Sequence, residues 1–543
     1  MRKQVKTVMV GGVFAVLVGG AGYGTFNVVN ALNDDGGSAS GTAAVKKGTP
    51  DAREVRDTAR TFLTAWAKGD ADTAAVYTNN AEAAALALTG YREDAHIREV
   101  RLTPGRIQGT HVPFSVRATV SYKGTSKRLA YASSFEVVRG RSTGRPLVDW
   151  EASVVHPKLH EGESLETGEA AAPPIRAVDR EGRVLTPERY PSLTPVLARL
   201  RAAYGEKAGG RPGIELYVRR ASADAGTTTL LTLAEGRPGT LPTTLSAAAQ
   251  RAAEDAVAKY PESSVVAVKP STGEVLAVAN HREDGFNAAF EGKLAPGSTM
   301  KIVTAAMLID KGVAKAGGPA PCPSTATWQS QTFKNLTGLR PDGGATLADS
   351  FARSCNTAFV KLVDEKPLTD ASLAEEARDN FGLGRDDWRT GIPSADGSVP
   401  ASGGPDRAAN AIGQGEVQLN PLNLASVTAT AMTGSFRQPV LVPKSLIEGE
   451  PATARGLSAS TVAQLRQMLR RTALSGTGAR AMAGLGPDVG AKTGSAEVDG
   501  QARPNSWFTG YRGDVAAAAM AQEGGHGGDT AGPIVASVLR AAR

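Results

Sequence analysis

The stretch Leu294-Ala295-Pro296-Gly297-Ser298-Thr299-Met300-Lys301-Ile302-Val303-Thr304-Ala305-Ala306-Met307 decides how this chain is read. Pro296 and Gly297 are turn formers, and the apolar run behind them meets no breaker before Gly312. The pattern predicts a buried helix of about three turns. Ser298 falls in its first turn, and Lys301, three residues on, shares its face. A serine hydroxyl is a poor nucleophile without a base in hydrogen-bond reach. A lysine is such a base only where burial or a second cation keeps it neutral. An apolar helix start offers the burial, and its free backbone N–H groups offer an anion site.

Alone, S-x-x-K is a weak signal, but the chain contains it once and two further motifs follow. These are Ser354-Cys355-Asn356 and Lys492-Thr493-Gly494. The order S-x-x-K, S-x-N, K-T-G is the signature of penicillin-binding proteins and serine β-lactamases. Residues 241–543 resemble the transpeptidase domain of class B penicillin-binding proteins over nearly their whole length. They also share Ala411-Ile412-Gly413-Gln414-Gly415-Glu416, Pro421-Leu422-Asn423-Leu424-Ala425 and Gly476-Thr477-Gly478 with it.

The resemblance implies D,D-transpeptidation of peptidoglycan stem peptides through a serine acyl-enzyme, and acylation by β-lactams. It makes Ser298 the nucleophile and Lys301 its base, with Ser354 relaying a proton and Asn356 holding Lys301. Lys492 would keep the pocket cationic and attract the terminal carboxylate, which Thr493 and Ser495 would bind. The backbone N–H groups of Ser298 and Ser495 would form the oxyanion hole. Gly494 would keep the strand clear for a substrate lying along it. Ser495 stands where many relatives carry threonine, which keeps the hydroxyl.

Working outward, 263–279 predicts two apolar strands around Pro270-Ser271-Thr272-Gly273, preceded by an amphipathic helix over 247–258. Trp507 to Tyr511 and 515–520 read as strands and 531–539 as a closing helix. Together they suggest an antiparallel sheet with helices on both faces. Upstream, 51–160 predicts a small α+β domain. Its first helix carries Val55, Ala59, Phe62, Leu63 and Trp66 and ends near Gly69. Alternating strands follow over 114–122 and 129–137, and a further strand is predicted through Val148, Trp150 and Val154. This segment, with His156-Pro157-Lys158-Leu159, resembles the cone-shaped membrane-proximal domain of methicillin-resistance-type penicillin-binding proteins. Residues 161–240 are rich in Pro, Gly and Arg. Their Asp179-Arg180-Glu181-Gly182 resembles the D-R-x-G turn of the class B linker (dimerisation) domain. There an Asp179–Arg180 ion pair and a positive φ at Gly182 are expected.

At the N-terminus Arg2, Lys3 and Lys6 precede 7–33, which carry no charge. The apolar run over 8–26 approaches the ~20 residues a membrane span needs, and the preceding basic residues place the rest outside the cytoplasm. A cleaved signal peptide is the competing reading, against which stand the long apolar run and the lack of an A-x-A-like site. The units expected are thus an anchor over 1–32, a Gly/Ser-rich tether over 33–50, and domains over 51–160, 161–240 and 241–543.

The net charge of +7 is spread without a nucleic-acid module, and the six histidines lack metal-ligand spacing, so neither nucleic acid, metal nor cofactor is expected. No glycosyltransferase segment is visible before 241, which implies a membrane polymerase as partner. Cys322 and Cys355, the only cysteines, could bridge outside the cytoplasm or pack as two small apolar residues. A serine β-lactamase is the alternative enzyme. It would need a water-activating glutamate, and Glu376 with Asn380 has only the spacing of one. A β-lactam sensor would need an intracellular output domain, for which about six residues precede the apolar run.

Overall fold

The computed structural model describes residues 47–170, 172–220 and 227–542. The expected anchor, and the tether up to residue 46, lie outside the described residues. No described helix is long and apolar enough to cross a membrane.

Asp51 starts the first domain. Its carboxylate accepts from the N–H groups of Arg53 and Glu54, and Glu54 reaches back to the Asp51 N–H. This reciprocal cap opens helix Ala52–Lys68, and Gly69 closes it at φ 79°. The helix buries Val55, Ala59, Phe62, Leu63 and Trp66. They pack on an antiparallel sheet of β1 (Ile97–Pro104), β2 (His111–Tyr122), β3 (Thr125–Arg139) and β4 (Pro146–Val148), in that spatial order. Trp66 meets Tyr91 and Phe114 edge-on, with ring centroids 5.5 and 5.7 Å apart. The strand predicted through Val148, Trp150 and Val154 stops at Val148. The Asn79 side chain takes the Trp150 N–H and donates to Asp149, and residues 152–155 turn into a short helix.

Among the described residues, 161–240 bring no buried cluster of their own. β5 (Ser164–Glu169), β7 (Ile214–Arg219) and β8 (Thr228–Ala234) form a sheet whose Leu165, Leu216, Val218 and Leu233 join the N-terminal core. β6 (Ile175–Val178) pairs in parallel with β9 (Gly239–Pro242). Helix Thr194–Tyr204 contributes Val196, Leu200 and Tyr204 to the C-terminal core instead. Gly182 takes φ 82°, but the ion pair differs from the expected one. Asp179 pairs with Arg183 at 2.7 Å, while Arg180 reaches Glu274 at 3.4 Å. Neighbours at a strand end point to opposite sides, so Asp179 turns inward. There it also accepts the N–H groups of Glu181, Arg183 and Ala247, tying the turn to the start of helix Ala247–Val257.

The C-terminal sheet is antiparallel, ordered β11-β10-β16-β15-β14, from β10 (Ser263–Val268), β11 (Val275–His281), β14 (Val489–Ala496), β15 (Asn505–Arg512) and β16 (Val515–Ala521). Both its faces are covered, and β10, β11 and β16 read as mainly apolar runs. Val265 and Ala267 face a core with helices Ala247–Val257 and Ala531–Ala541, whereas Val266 and Val268 face the core of helices Lys301–Asp310 and Pro421–Thr433. The alanines of β16 divide between these two cores, and their small side chains admit close helix approach. β14 lies at the sheet edge, with one side free to meet other elements. A short hairpin, β12 (Thr325–Trp328) and β13 (Gln331–Lys334), stands apart from this sheet.

Candidate active site

The nucleophile turn differs from the regular helix start that the sequence predicts. Gly297–Met300 is a 3₁₀ turn, and the α-helix begins only at Lys301. In a 3₁₀ turn residues i and i+3 eclipse one another, which stacks Lys301 over Ser298. Lys301 Nζ lies 2.8 Å from Ser298 Oγ, 2.6 Å from Asn356 Oδ1 and 3.0 Å from the Ser354 carbonyl oxygen. The lysine has no exposed surface, and neither it nor Lys492 forms an ion pair among the described residues. Burial first, then the charge of Lys492, hold its pKa well below the usual lysine range. The partners fit a neutral amine. Its two N–H bonds find two acceptors that cannot donate, Asn356 Oδ1 and the Ser354 carbonyl, leaving the lone pair for the Ser298 hydroxyl.

Ser354 joins the two lysines. Its φ of 61° is left-handed, a conformation that costs roughly 1–2 kcal/mol outside glycine. That turn aims its carbonyl at Lys301 while its hydroxyl takes a 2.8 Å hydrogen bond from Lys492 Nζ. Lys492 also donates to the Thr493 carbonyl at 2.9 Å, is fully buried, and is brought by that burial down to about 7. Its ammonium is therefore turned inward to Ser354.

Two devices hold the S-x-N turn. Cys322 and Cys355 are joined by a disulfide with Cα atoms 6.1 Å apart, and Cys355 caps helix Asn356–Leu362. Asn335, just beyond β13, accepts the N–H groups of Asn356 (2.8 Å) and Thr357 (3.1 Å) and donates to the Pro323 carbonyl (2.8 Å). Asn356 Nδ2 in turn donates to the Lys334 carbonyl, which fixes its Oδ1 toward Lys301. Nothing in the sequence around Asn335 marks it for this position.

The A-I-G-Q-G-E segment braces the nucleophile turn. Gly413 takes φ 77°, its carbonyl accepts the Gly297 N–H at 2.8 Å, and a Cβ there would overlap the Gly297 carbonyl oxygen. The Gln414 side chain donates to the Ser495 carbonyl at 3.5 Å. A residue's N–H and C=O point to the same side of a strand, so the Ser495 N–H also faces the open edge of β14, toward the nucleophile turn. Gly494 has a further reason to be glycine. A Cβ on it would sit 2.8 Å from the Pro296 carbonyl and 2.9 Å from Thr299 Cγ2, so glycine here admits the nucleophile turn. Thr493 and Ser495 look the other way. Thr493 Oγ1 meets Thr477 Oγ1 at 2.6 Å, and Ser495 Oγ lies 3.4 Å from His526 Nδ1, a histidine no motif marked.

Glu376 is buried, and that burial pushes it up to about 7, with Asp310 acting in the same direction. Its neighbours Asp310 and Lys311 place it at the far end of the nucleophile helix. At ~1.5 Å per residue this is roughly 18 Å from Ser298, beyond the reach of a water held against an acyl-serine.

Residues 263–540, just over half of the chain, match the penicillin binding protein transpeptidase domain family. The chain belongs to this family. Within it, residues 54–163 match the NTF2-like N-terminal transpeptidase domain. The chain is similar to the peptidoglycan D,D-transpeptidase PbpA of Mycolicibacterium smegmatis. The identity is 30% over 367 residues, covering 56% of this chain and 73% of the relative. With PbpA of Mycobacterium tuberculosis the identity is 27% over 365 residues and the coverage 56% and 73%. Solved structures share the fold. One is the D,D-transpeptidase domain of a peptidoglycan glycosyltransferase from Eggerthella lenta, with TM-score 0.53 and 22% identity, covering 69% of this chain and 98% of that one. Another is PBP2 of Pseudomonas aeruginosa in complex with WCK 5153, with TM-score 0.53 and 20% identity, covering 68% and 96%. This penicillin-binding protein is thus a multidomain α+β chain with an NTF2-like domain ahead of its transpeptidase domain.

Proposed function

We propose that this protein is the peptidoglycan D,D-transpeptidase of its cell envelope site, cross-linking stem peptides through an acyl-enzyme on Ser298. One observation carries the reading: a fully buried lysine whose three partners match a neutral amine, with its Nζ 2.8 Å from the serine hydroxyl. Lys301 takes the hydroxyl proton as Ser298 Oγ attacks the carbonyl of the penultimate D-alanine. The oxyanion forms between the N–H groups of Ser298 and Ser495. Ser354 Oγ hands a proton to the departing D-alanine amine and takes one from Lys492. An amine from a neighbouring stem peptide then takes the acyl group and frees Ser298. The acceptor amine's proton returns through Ser354 to Lys492, and Lys301 gives the first proton back to Ser298. Asn356 orients Lys301, and the hydroxyls of Thr493 and Ser495 receive the terminal carboxylate.

β-Lactams acylate the same serine, and with Glu376 far away the adduct persists. Residues 8–26 serve as the membrane anchor, with the domains over 51–160, 161–240 and 241–543 outside the cytoplasm. A membrane glycan-strand polymerase supplies the strands to be joined. The test is a fluorescent penicillin. Mass spectrometry is expected to find the label on Ser298, with a half-life of hours, and Ser298→Ala is expected to take none while keeping its melting temperature. Label on another residue, or release within seconds, refutes the reading.

A further inference from the structure

The loop between β16 and helix Ala531–Ala541 reads Glu523-Gly524-Gly525-His526-Gly527-Gly528-Asp529, so His526 is its only side chain between two acids. The loop is pressed against the K-T-G strand. A Cβ on Gly527 would overlap the Trp507 carbonyl oxygen and lie 2.7 Å from the Gly494 carbonyl oxygen. The backbone of the loop is also held. The His526 carbonyl accepts from Ser506 Oγ (3.1 Å) and the Asp529 N–H (2.9 Å), and the Gly524 carbonyl accepts from Thr530 Oγ1 (2.7 Å). The imidazole is left exposed at the open side of β14, with Nδ1 3.4 Å from Ser495 Oγ.

This position matters because the strand offers an incoming carboxylate little else. Lys492 is buried and occupied by Ser354 Oγ and the Thr493 carbonyl. The Thr493 hydroxyl meets the Thr477 hydroxyl at 2.6 Å and keeps its own proton for a carboxylate only where it accepts from Thr477. Thr493 and Ser495 thus supply at most two neutral donors, whereas a carboxylate has about four acceptor sites. We propose that His526 determines specificity for the substrate's terminal carboxylate, a ring N–H of its imidazole donating to the carboxylate beside the Ser495 hydroxyl. The inference rests on the D,D-transpeptidase reading and adds a donor to it. An N–H aimed at an ionised carboxylate makes a charge-assisted hydrogen bond, about twice as strong as one between neutral groups.

The test compares two acyl-D-alanyl thioesters, one ending in a free carboxylate (a thioglycolate) and one in a carboxamide (a thioglycolamide). The quantity read is the ratio of their kcat/KM values, from thiol release by the full-length protein. His526→Ala is expected to lower the carboxylate-to-carboxamide ratio about 10- to 100-fold, the range of one hydrogen bond to a charged group. His526→Arg is expected to restore the ratio to within about threefold, and His526→Gln, a neutral donor, to fall between. A merely structural histidine would slow both thioesters alike and leave the ratio unchanged, which overturns the proposal, as does failure of the arginine variant to restore it. Should the alanine variant lose its fold, the glutamine and arginine ratios decide alone. The parent reading fails separately: wild-type protein that forms no Ser298 adduct with either thioester or with penicillin overturns both. An adduct with an unchanged ratio overturns only the role of His526.

Discussion

Raising the pH from 7 to 9.5 should stabilise this protein, and replacing Lys492 by methionine should remove the share of that gain that Lys492 contributes, leaving the share of Lys301. Lys492 is held at about 7 in the folded state, against a model-peptide value near 10.4 when unfolded. Through this window the folded state binds fewer protons than the unfolded one, so stability rises with pH. For one such lysine the linkage integral from pH 7 to 9.5 is about 3 kcal/mol. Lys301, lowered by the same burial and by Lys492, adds to the slope in the same sense. The window stops below the point where buried Tyr91 and Tyr131, whose ionisation burial delays, would reverse it. The assay is urea unfolding at half-unit pH steps for wild type and Lys492→Met. The slope is the quantity to compare, because methionine also deprives Ser354 Oγ and the Thr493 carbonyl of a donor, a loss that does not depend on pH. Penicillin acylation of Lys492→Met should fall at least about 100-fold, a loss on the order of 3 kcal/mol in transition-state stabilisation. Its rising pH limb should move upward, since Lys301 loses the cation that helps to keep it neutral. A wild type that loses stability between pH 7 and 9.5, or a variant with the same slope, would refute the reasoning.

Reduction of Cys322–Cys355 should lower the melting temperature and the acylation rate together, because the bridge ends one residue from Ser354. For its separation of 33 residues the chain-entropy model gives about 3–4 kcal/mol, to be read from unfolding with and without reductant. Asn335→Ala should strand the N–H groups of Asn356 and Thr357, costing on the order of 2–4 kcal/mol, and should slow acylation. Asn335→Asp, which keeps the acceptor but sets an oxygen against the Pro323 carbonyl, should recover only part of the stability in the same melts. Gly413→Ala should displace the nucleophile turn, lowering penicillin labelling at least tenfold, whereas Gly312→Ala, also at positive φ but in open space, should cost only about 1–2 kcal/mol and leave labelling intact.

The sequence by itself determined the family, the order of the domains and most of the regular elements. Those signals are local: turn formers before an apolar run at 296–309, strict alternation over 114–122 and a stop at Gly69. Each is written in neighbouring residues and needs no distant partner to be read. The further strand through Val154 was misread for the complementary reason. Asn79, far upstream in the chain, takes the Trp150 N–H and ends the ladder.

Only the tertiary structure decided what the motif residues touch. Ser298 and Lys301 are close in sequence, but the amine's pKa is lowered because helices bury it and a second lysine from residue 492 lies beside it, an environment no short segment contains. Asn335 and His526 reach the site from separate loops, and their sequence contexts are ordinary. Gly494 shows the limit most plainly. A glycine in a strand announces a close approach, yet whether the approaching group is a substrate or the protein's own nucleophile turn depends on which element the fold lays against that face. The same holds for 161–240, whose apolar residues were legible but whose division between two cores was set by strands and a helix packing onto different neighbours. Side-chain periodicity says that a face is buried. The chain's long-range path decides what buries it.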